Sequence, residues 1–288
     1  MSLSPEQQAA RRLGIGGSEI ASLFGLDKFK TPFDTWLSKT QGWEPERNDD
    51  MMRGTHLEDG VARWYAEKHA VEVVNPNETM RHATRPIVLA TPDRLINTAA
   101  GGLENLSIKC PRGGDEWGES ETEEYPMRAN LQVQWEAAVL ASRGYVLTGA
   151  WIAALVWGEL RRYPVRLDVE LQERLMRGAE QWWAKYVTTN TAPPIDGGKG
   201  ASEWLLRRHT MPAHKEKTEA SLQQEALCLA LREAEAAHDA AEKTYDDAKA
   251  RVLETIGDGY GLTGSFGSIT WSKNQYGTRT FRAHWKKG

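Results

Sequence analysis

The chain has 288 residues, 40% hydrophobic and 26% charged, enough for one large domain with an appendage. No run approaches the ~18 apolar residues of a membrane span and the first residues lack the layout of a signal peptide, so a cytosolic protein without a membrane partner is expected. A net charge of −4 draws no polyanion globally, and two distant cysteines, Cys110 and Cys228, form neither a zinc set nor a disulfide framework.

In chain order, Glu6 to Arg12 reads as a short helix broken by Gly14-Ile15-Gly16-Gly17, after which Ser18 is expected to cap a second helix running to Phe24. Such a glycine-rich turn ahead of a helix offers backbone N–H groups to a phosphate. A nucleotide-binding P-loop is excluded, because no Gly-Lys-Ser/Thr follows these glycines. Arg53 to His69 has helical spacing, with Leu57, Val61, Trp64 and Tyr65 on one face and Glu58 beside it. Val71 to Asn75, Arg85 to Thr91 and Leu103 to Cys110 read as strands, Asn130 to Ser142 as a helix, and the apolar run Tyr145 to Trp157 as a buried strand pair. Tyr163 to Val169 alternates like a further strand, and Leu171 to Val187 reads as a helix. This order predicts an α/β core ending near Pro193-Pro194.

Gly197, Gly198 and Gly200 mark a linker. Beyond Lys217, apolar positions recur in alternating four- and three-residue steps from Leu227 through Leu231, Ala234, His238, Ala241, Tyr245 and Ala248 to Val252, a seam for helix packing against an oligomer or partner. Gly257 is expected to stop that helix, and Gly267 to Ala283 to form a β-hairpin turning at Asn274 to Gly277.

The stretch from Ala90 to Pro111, ATPDRLINTAAGGLENLSIKCP, carries chemistry. Asp93 follows a proline and Lys109 lies on a strand about one hairpin later, the layout of a two-metal phosphodiesterase site. The hard oxygens of Asp93 suit a divalent ion, and Lys109 suits polarising a water or neutralising a phosphate oxygen. The usual pattern, Asp…Glu-x-Lys, has a glutamate two residues before the lysine. Here that position is Ser107.

With these motifs the chain resembles the YqaJ-like phage recombinase nucleases, relatives of lambda exonuclease within the PD-(D/E)xK superfamily. The resemblance covers Arg11 to Trp157: Arg11-x-x-Gly14-Ile15-Gly16-Gly17-Ser18, Arg53-Gly54-x-x-x-Glu58, Thr91-Pro92-Asp93, Ile108-Lys109-Cys110-Pro111 and Gln132-Val133-Gln134-Trp135. It implies a restriction-endonuclease-like α/β core, a central mixed sheet flanked by helices, over 1–196, a linker over 197–216, and a C-terminal long helix and β-hairpin appendage over 217–288. It implies a Mg²⁺-dependent exonuclease, with Mn²⁺ able to substitute, that resects linear duplex DNA 5′ to 3′ and leaves 3′ single strands for a RecT/Beta-like single-strand annealing protein. A homo-oligomer encoded by phage or prophage and working in the bacterial cytoplasm goes with that reading. Arg11, Gly16, Gly17 and Ser18 would bind the 5′ phosphate. Asp93, Glu58 and the Ile108 carbonyl would hold metal, and Lys109 and Gln132 would orient the attacking water.

Two residues depart from the family pattern: Arg94 replaces a glycine, and Ser107 replaces the strand glutamate. Either the metal site is lost, leaving a DNA-end-binding or recombination scaffold, or the carboxylate has migrated to the following helix. Glu136 lies four residues after Gln132, about one turn or ~5.4 Å along the same face, and is the better replacement. Glu104 is the rival, three residues before Ser107 and so expected on the opposite face of the strand.

Overall fold

A computed structural model of the chain describes residues 11–98, 101–209, 217–273 and 277–286. Internal contacts divide the chain into two units, Met1–Thr210 and Met211–Gly288.

The first unit is built on a five-stranded mixed sheet ordered β1-β4-β5-β6-β7, with β1 Glu72–Val74, β4 Arg94–Asn97, β5 Leu103–Lys109, β6 Leu147–Val156 and β7 Glu159–Pro164. Only β5 and β6 run parallel, and the long connection that this requires carries helix α4, Met127–Ser142. A separate two-stranded ladder pairs β2 Met80–Arg81 with β3 Leu89–Ala90. Both faces of β6 are covered, which explains its nearly continuous apolar sequence. One face packs Ala153 with β5's Leu106 and Ile108 against Val61, Ala62 and Tyr65 of helix α3, Asp49–His69. The other packs Ala150, Ile152 and Ala154 against Val133 of α4.

Helix α4 is buried on both sides, because a further helical layer lies outside it: α1 Gly17–Leu23, α2 Pro32–Gln41 and α5 Val169–Trp182. Trp135 and Val139 of α4 pack there with Ile20, Phe33, Trp36 and Leu175, and the Trp135 indole donates to the Leu89 carbonyl at 2.8 Å. Truncating so large a core side chain to alanine costs about 3–5 kcal/mol. The α/β core with a central mixed sheet flanked by helices is therefore what the chain forms.

Several local expectations are corrected. The run Tyr145–Trp157 is one strand rather than a pair, because Trp157 and Gly158 form a two-residue turn with φ 49° and 87° and send β7 back against it. The strand expected over Tyr163–Val169 is consequently β7, earlier in sequence, and Asp168 caps α5 by accepting from the Leu171 N–H at 3.0 Å. Of Arg85–Thr91 only Leu89–Ala90 is a strand, since a turn closes from Val88 N–H to the Arg85 carbonyl around Pro86. Gly16, not Ser18, is the N-cap of α1. Helix α2 was not anticipated, although Thr31, Pro32, Asp34 and Gly42 supply its capping box, first-turn proline and left-handed C-cap. The segment read as a linker contains helix α6, Lys199–Arg208, with the Gly200 N–H on Asp34 Oδ1 at 2.9 Å and Trp204 edge-on to Phe33. The helix expected over Glu6–Arg12 lies outside the described residues except for residues 11 and 12, which are helical.

The second unit contains helix α7, Leu222–Ile256, which starts at a Ser221/Gln224 capping box and stops at Gly257. A three-stranded antiparallel sheet of β8 Gly261–Gly264, β9 Gly267–Lys273 and β10 Arg279–Trp285 follows, one strand more than the expected hairpin. Of the expected turn at Asn274–Gly277, residues 274–276 lie outside the described residues. The seam residues Leu227, Leu231 and Tyr245 are exposed, and the Lys249 ammonium sits over the Tyr245 and Phe281 rings. No helix among the described residues is long and apolar enough to cross a membrane.

Candidate active site

Strand alternation sorts the residues of β5 between two faces. Leu106 and Ile108 join the α3 core, so Asn105, Ser107 and Lys109 face α4. Asp93, just before β4, meets them: its Oδ2 accepts from Ser107 Oγ at 3.1 Å and from the Ile108 N–H at 2.8 Å. Lys109 Nζ donates to Ser107 Oγ at 2.8 Å and stands 3.7 Å from Asp93 Oδ2. Ser107 thus links the aspartate to the lysine from the position where the family pattern has a glutamate.

Helix α4 supplies the opposite wall. Glu136 Oε1 accepts from Gln132 Nε2 at 2.8 Å, as their spacing of one helical turn allows, and Oε2 accepts from Asn105 Nδ2 at 3.0 Å. Burial, then the charge of Asp93, push the Glu136 carboxyl up to about 7, with Lys109 and the two amides opposing. The Oδ1 of Asn105 is buried and has no hydrogen-bond partner among the described residues. Asn105 was missed in the sequence, although its place two residues before Ser107 puts it on the same strand face. Gly17 lets α1 approach this wall, because a Cβ there would meet Gln132 Cγ at 3.2 Å and Glu136 Cγ at 3.3 Å.

The phosphate-binding candidates complete the enclosure. Arg11 Nη2 donates to Ser18 Oγ at 2.5 Å, so Ser18 serves this pair rather than the helix cap. The turn was expected to offer its N–H groups to a phosphate, but that of Gly16 instead donates to Glu19 Oε2 at 3.0 Å. Arg11, Gly16, Gly17, Ser18, Glu58, Asp93, Lys109, Gln132 and Glu136 line one cavity of about 610 Å³. Ile108 is not part of that lining and reaches the site through its backbone.

Glu58 and Glu104 stand apart from the central cluster. Glu58 reaches the cavity from α3, but its Oε1 accepts from Arg94 Nη1 at 2.8 Å, and Arg94 also pairs with Asp59. Glu104, on the other face of β5, accepts from the Trp151 indole at 2.9 Å. Among the described residues no group of three or more His, Cys, Asp and Glu side chains is arranged around a common metal position. Two carboxylates whose charges repel, beside a buried amide oxygen lacking a partner, still fit one divalent ion, since Mg²⁺ is commonly held by one or two carboxylates with water and substrate completing its shell. The two-ion arrangement fits less well, because Arg94 engages Glu58.

Comparison with known proteins agrees with this architecture. The family model of the YqaJ-like viral recombinase domain matches residues 6–150. A curated relative, "Uncharacterized protein YqaJ" of Bacillus subtilis (strain 168), is 33% identical over 210 residues, 69% of this chain and 61% of that protein, so the chain spans less than two thirds of the relative's length. The fold is similar to that of an alkaline exonuclease (LHK-Exo) from Laribacter hongkongensis, with TM-score 0.52 and 17% identity over 71% of this chain and 97% of that one. The same exonuclease in complex with dAMP superposes with TM-score 0.53. By the family match over half its length, the chain belongs to the YqaJ-like viral recombinase domain family.

Proposed function

We propose that the chain is a divalent-metal-dependent deoxyribonuclease that shortens linear duplex DNA from its 5′ ends and leaves 3′ single strands. One observation carries the reading: Asp93, Lys109, Gln132 and Glu136 share a single cavity with Arg11 and Ser18. The first four are groups for hydrolysis of a phosphodiester, and the last two are groups for holding a terminal phosphate.

Asp93, Glu136 and the Ile108 carbonyl would hold the ion, Mg²⁺ or Mn²⁺ in its place, with Glu58 nearby. Bound there, it supplies Lewis-acid charge at the scissile phosphate. Lys109, carried on β5 beside Asp93, neutralises charge developing on a phosphate oxygen. Gln132, fixed by Glu136, presents its amide to the attacking water. Arg11 and Ser18 anchor the strand end by charge-assisted hydrogen bonds, which sets where cleavage falls.

A RecT/Beta-like annealing protein as partner, a homo-oligomeric assembly and a cytoplasmic site of action belong to the same reading. The Arg94–Glu58 pair favours a second one, a recombination scaffold that binds DNA ends but holds metal weakly. Uniformly labelled linear duplexes carrying 5′-phosphate or 5′-hydroxyl termini, incubated with Mg²⁺, separate the two. Successive release of label from phosphorylated 5′ ends is expected for the nuclease, and binding without release for the scaffold.

A further inference from the structure

Behind the Arg11–Ser18 pair lies a buried ion pair that the proposed chemistry does not use. The Lys39 side chain, on α2, is 1% exposed, and that of Glu19, on α1, is 7% exposed. Lys39 Nζ donates to Glu19 Oε2 and to the Arg11 carbonyl, both at 2.7 Å. The same Glu19 oxygen accepts from the Gly16 N–H at 3.0 Å, while Oε1 accepts from the half-buried Lys30 at 3.1 Å. One lysine and one carboxylate therefore tie the backbone of Arg11 to the turn that carries Ser18.

We propose that Glu19 and Lys39 are positioning residues for end recognition, fixing the backbone from which the Arg11 and Ser18 side chains project so that they form one phosphate-gripping geometry, without touching the DNA themselves. The inference rests on the reading of Arg11 and Ser18 as the terminal-phosphate grip. An ion pair buried this deeply gains little stability over an apolar replacement, because desolvation offsets most of the Coulomb attraction. What it does supply is geometry. Arginine has four side-chain torsions, and a grip that distinguishes a phosphate from a hydroxyl needs its donors fixed before binding. Anchoring the Arg11 carbonyl and the Gly16 N–H to one buried pair removes the backbone part of that freedom.

The test compares cleavage of 5′-phosphorylated and 5′-hydroxyl linear duplexes, with KM and kcat measured separately. Removing one partner leaves a buried charge unpaired and threatens folding, so the principal variant is the double substitution Glu19→Gln/Lys39→Met. Lys39→Gln, uncharged yet able to donate to the Arg11 carbonyl, is the second, and Glu19 keeps Lys30 as a charged partner in it. The double variant is expected to fold, to keep kcat within about threefold, and to lose at least fivefold in preference for phosphorylated ends through a raised KM, with Lys39→Gln in between. Lys30→Met, which touches Glu19 but not Arg11 or Gly16, is expected to retain the preference. A folded double variant, or a folded Lys39→Gln should the double variant not fold, that keeps the full wild-type preference overturns the inference and leaves the end-grip reading standing. A wild-type protein that uses both ends equally overturns the end-grip reading, and the inference with it.

Discussion

The Arg94 guanidinium, on a residue only 4% exposed, donates from β4 to the Glu58 carboxylate of α3 at 2.8 Å. Alternation along the strand explains this: Asp93 faces the α4 side and meets Ser107, so the next residue faces α3. An arginine at this position thereby engages a carboxylate that lines the cavity.

Replacing Arg94 by glycine is expected to tighten Mg²⁺ binding severalfold, by removing a fixed positive charge beside the Glu58 carboxylate. It should also lower stability by about 1–3 kcal/mol, because a buried, hydrogen-bonded side chain is lost. Calorimetric titration with Mg²⁺ and denaturant unfolding check the two parts. An unchanged affinity in a folded variant contradicts the role assigned to Arg94.

Glu136 gives the metal-free protein a pH-dependent stability of definite sign. Its folded carboxyl is pushed up to about 7 from an ordinary 4.5, so between those values the folded state binds more protons than the unfolded one. The contribution of Glu136 to stability then falls as pH rises from about 4.5 towards 7. Glu136→Gln is therefore expected to be more stable than wild type at pH ~8 in EDTA, with the advantage largely gone near pH ~5. Unfolding curves at the two pH values decide, and an equal difference at both contradicts the assignment.

The proposed replacement of the strand glutamate by Glu136 can be tested in activity. Glu136→Gln is expected to lower Mg²⁺-dependent cleavage by roughly 100-fold or more. Glu104→Gln should be nearly neutral, since Glu104 bonds Trp151 on the other face of β5. Ser107→Glu, placing a carboxylate beside Asp93, is expected to add little to the wild type but to restore part of the activity of Glu136→Gln. Strong gain from Ser107→Glu alone would show that Glu136 does not serve in its stead.

Much of this arrangement was legible in the sequence wherever a period or a cap dictates it. Strand β5 and helix α4 follow from a β-rich run ended by Pro111 and from three- and four-residue apolar spacing, and between them they carry Ser107, Lys109, Gln132 and Glu136. The placement of Glu104 away from the cluster follows from strand parity alone. What escaped depends on tertiary contacts. The partners of Arg94 come from a helix more than thirty residues away in the chain. Lys39 looks like an ordinary surface lysine until α2 packs beside α1 and buries it against Glu19. Helix α6 was hidden by Gly198 and Gly200, which serve packing rather than flexibility: a Cβ on Gly200 would lie 2.4 Å from Asp34 Oδ1.

Whether Asp93 and Lys109 form the core of a hydrolytic site is decided by incubating a 5′-phosphorylated linear duplex with wild-type protein, Asp93→Ala and Lys109→Ala, each in saturating Mg²⁺ and in EDTA. In the proposed mechanism both side chains act on charge that develops in the transition state, and both are partly exposed at the cavity, so the variants should fold. The account predicts degradation by wild type in Mg²⁺ alone and loss of at least ~100-fold in either variant. Near-wild-type cleavage by either folded variant, or undiminished wild-type cleavage in EDTA, would contradict it.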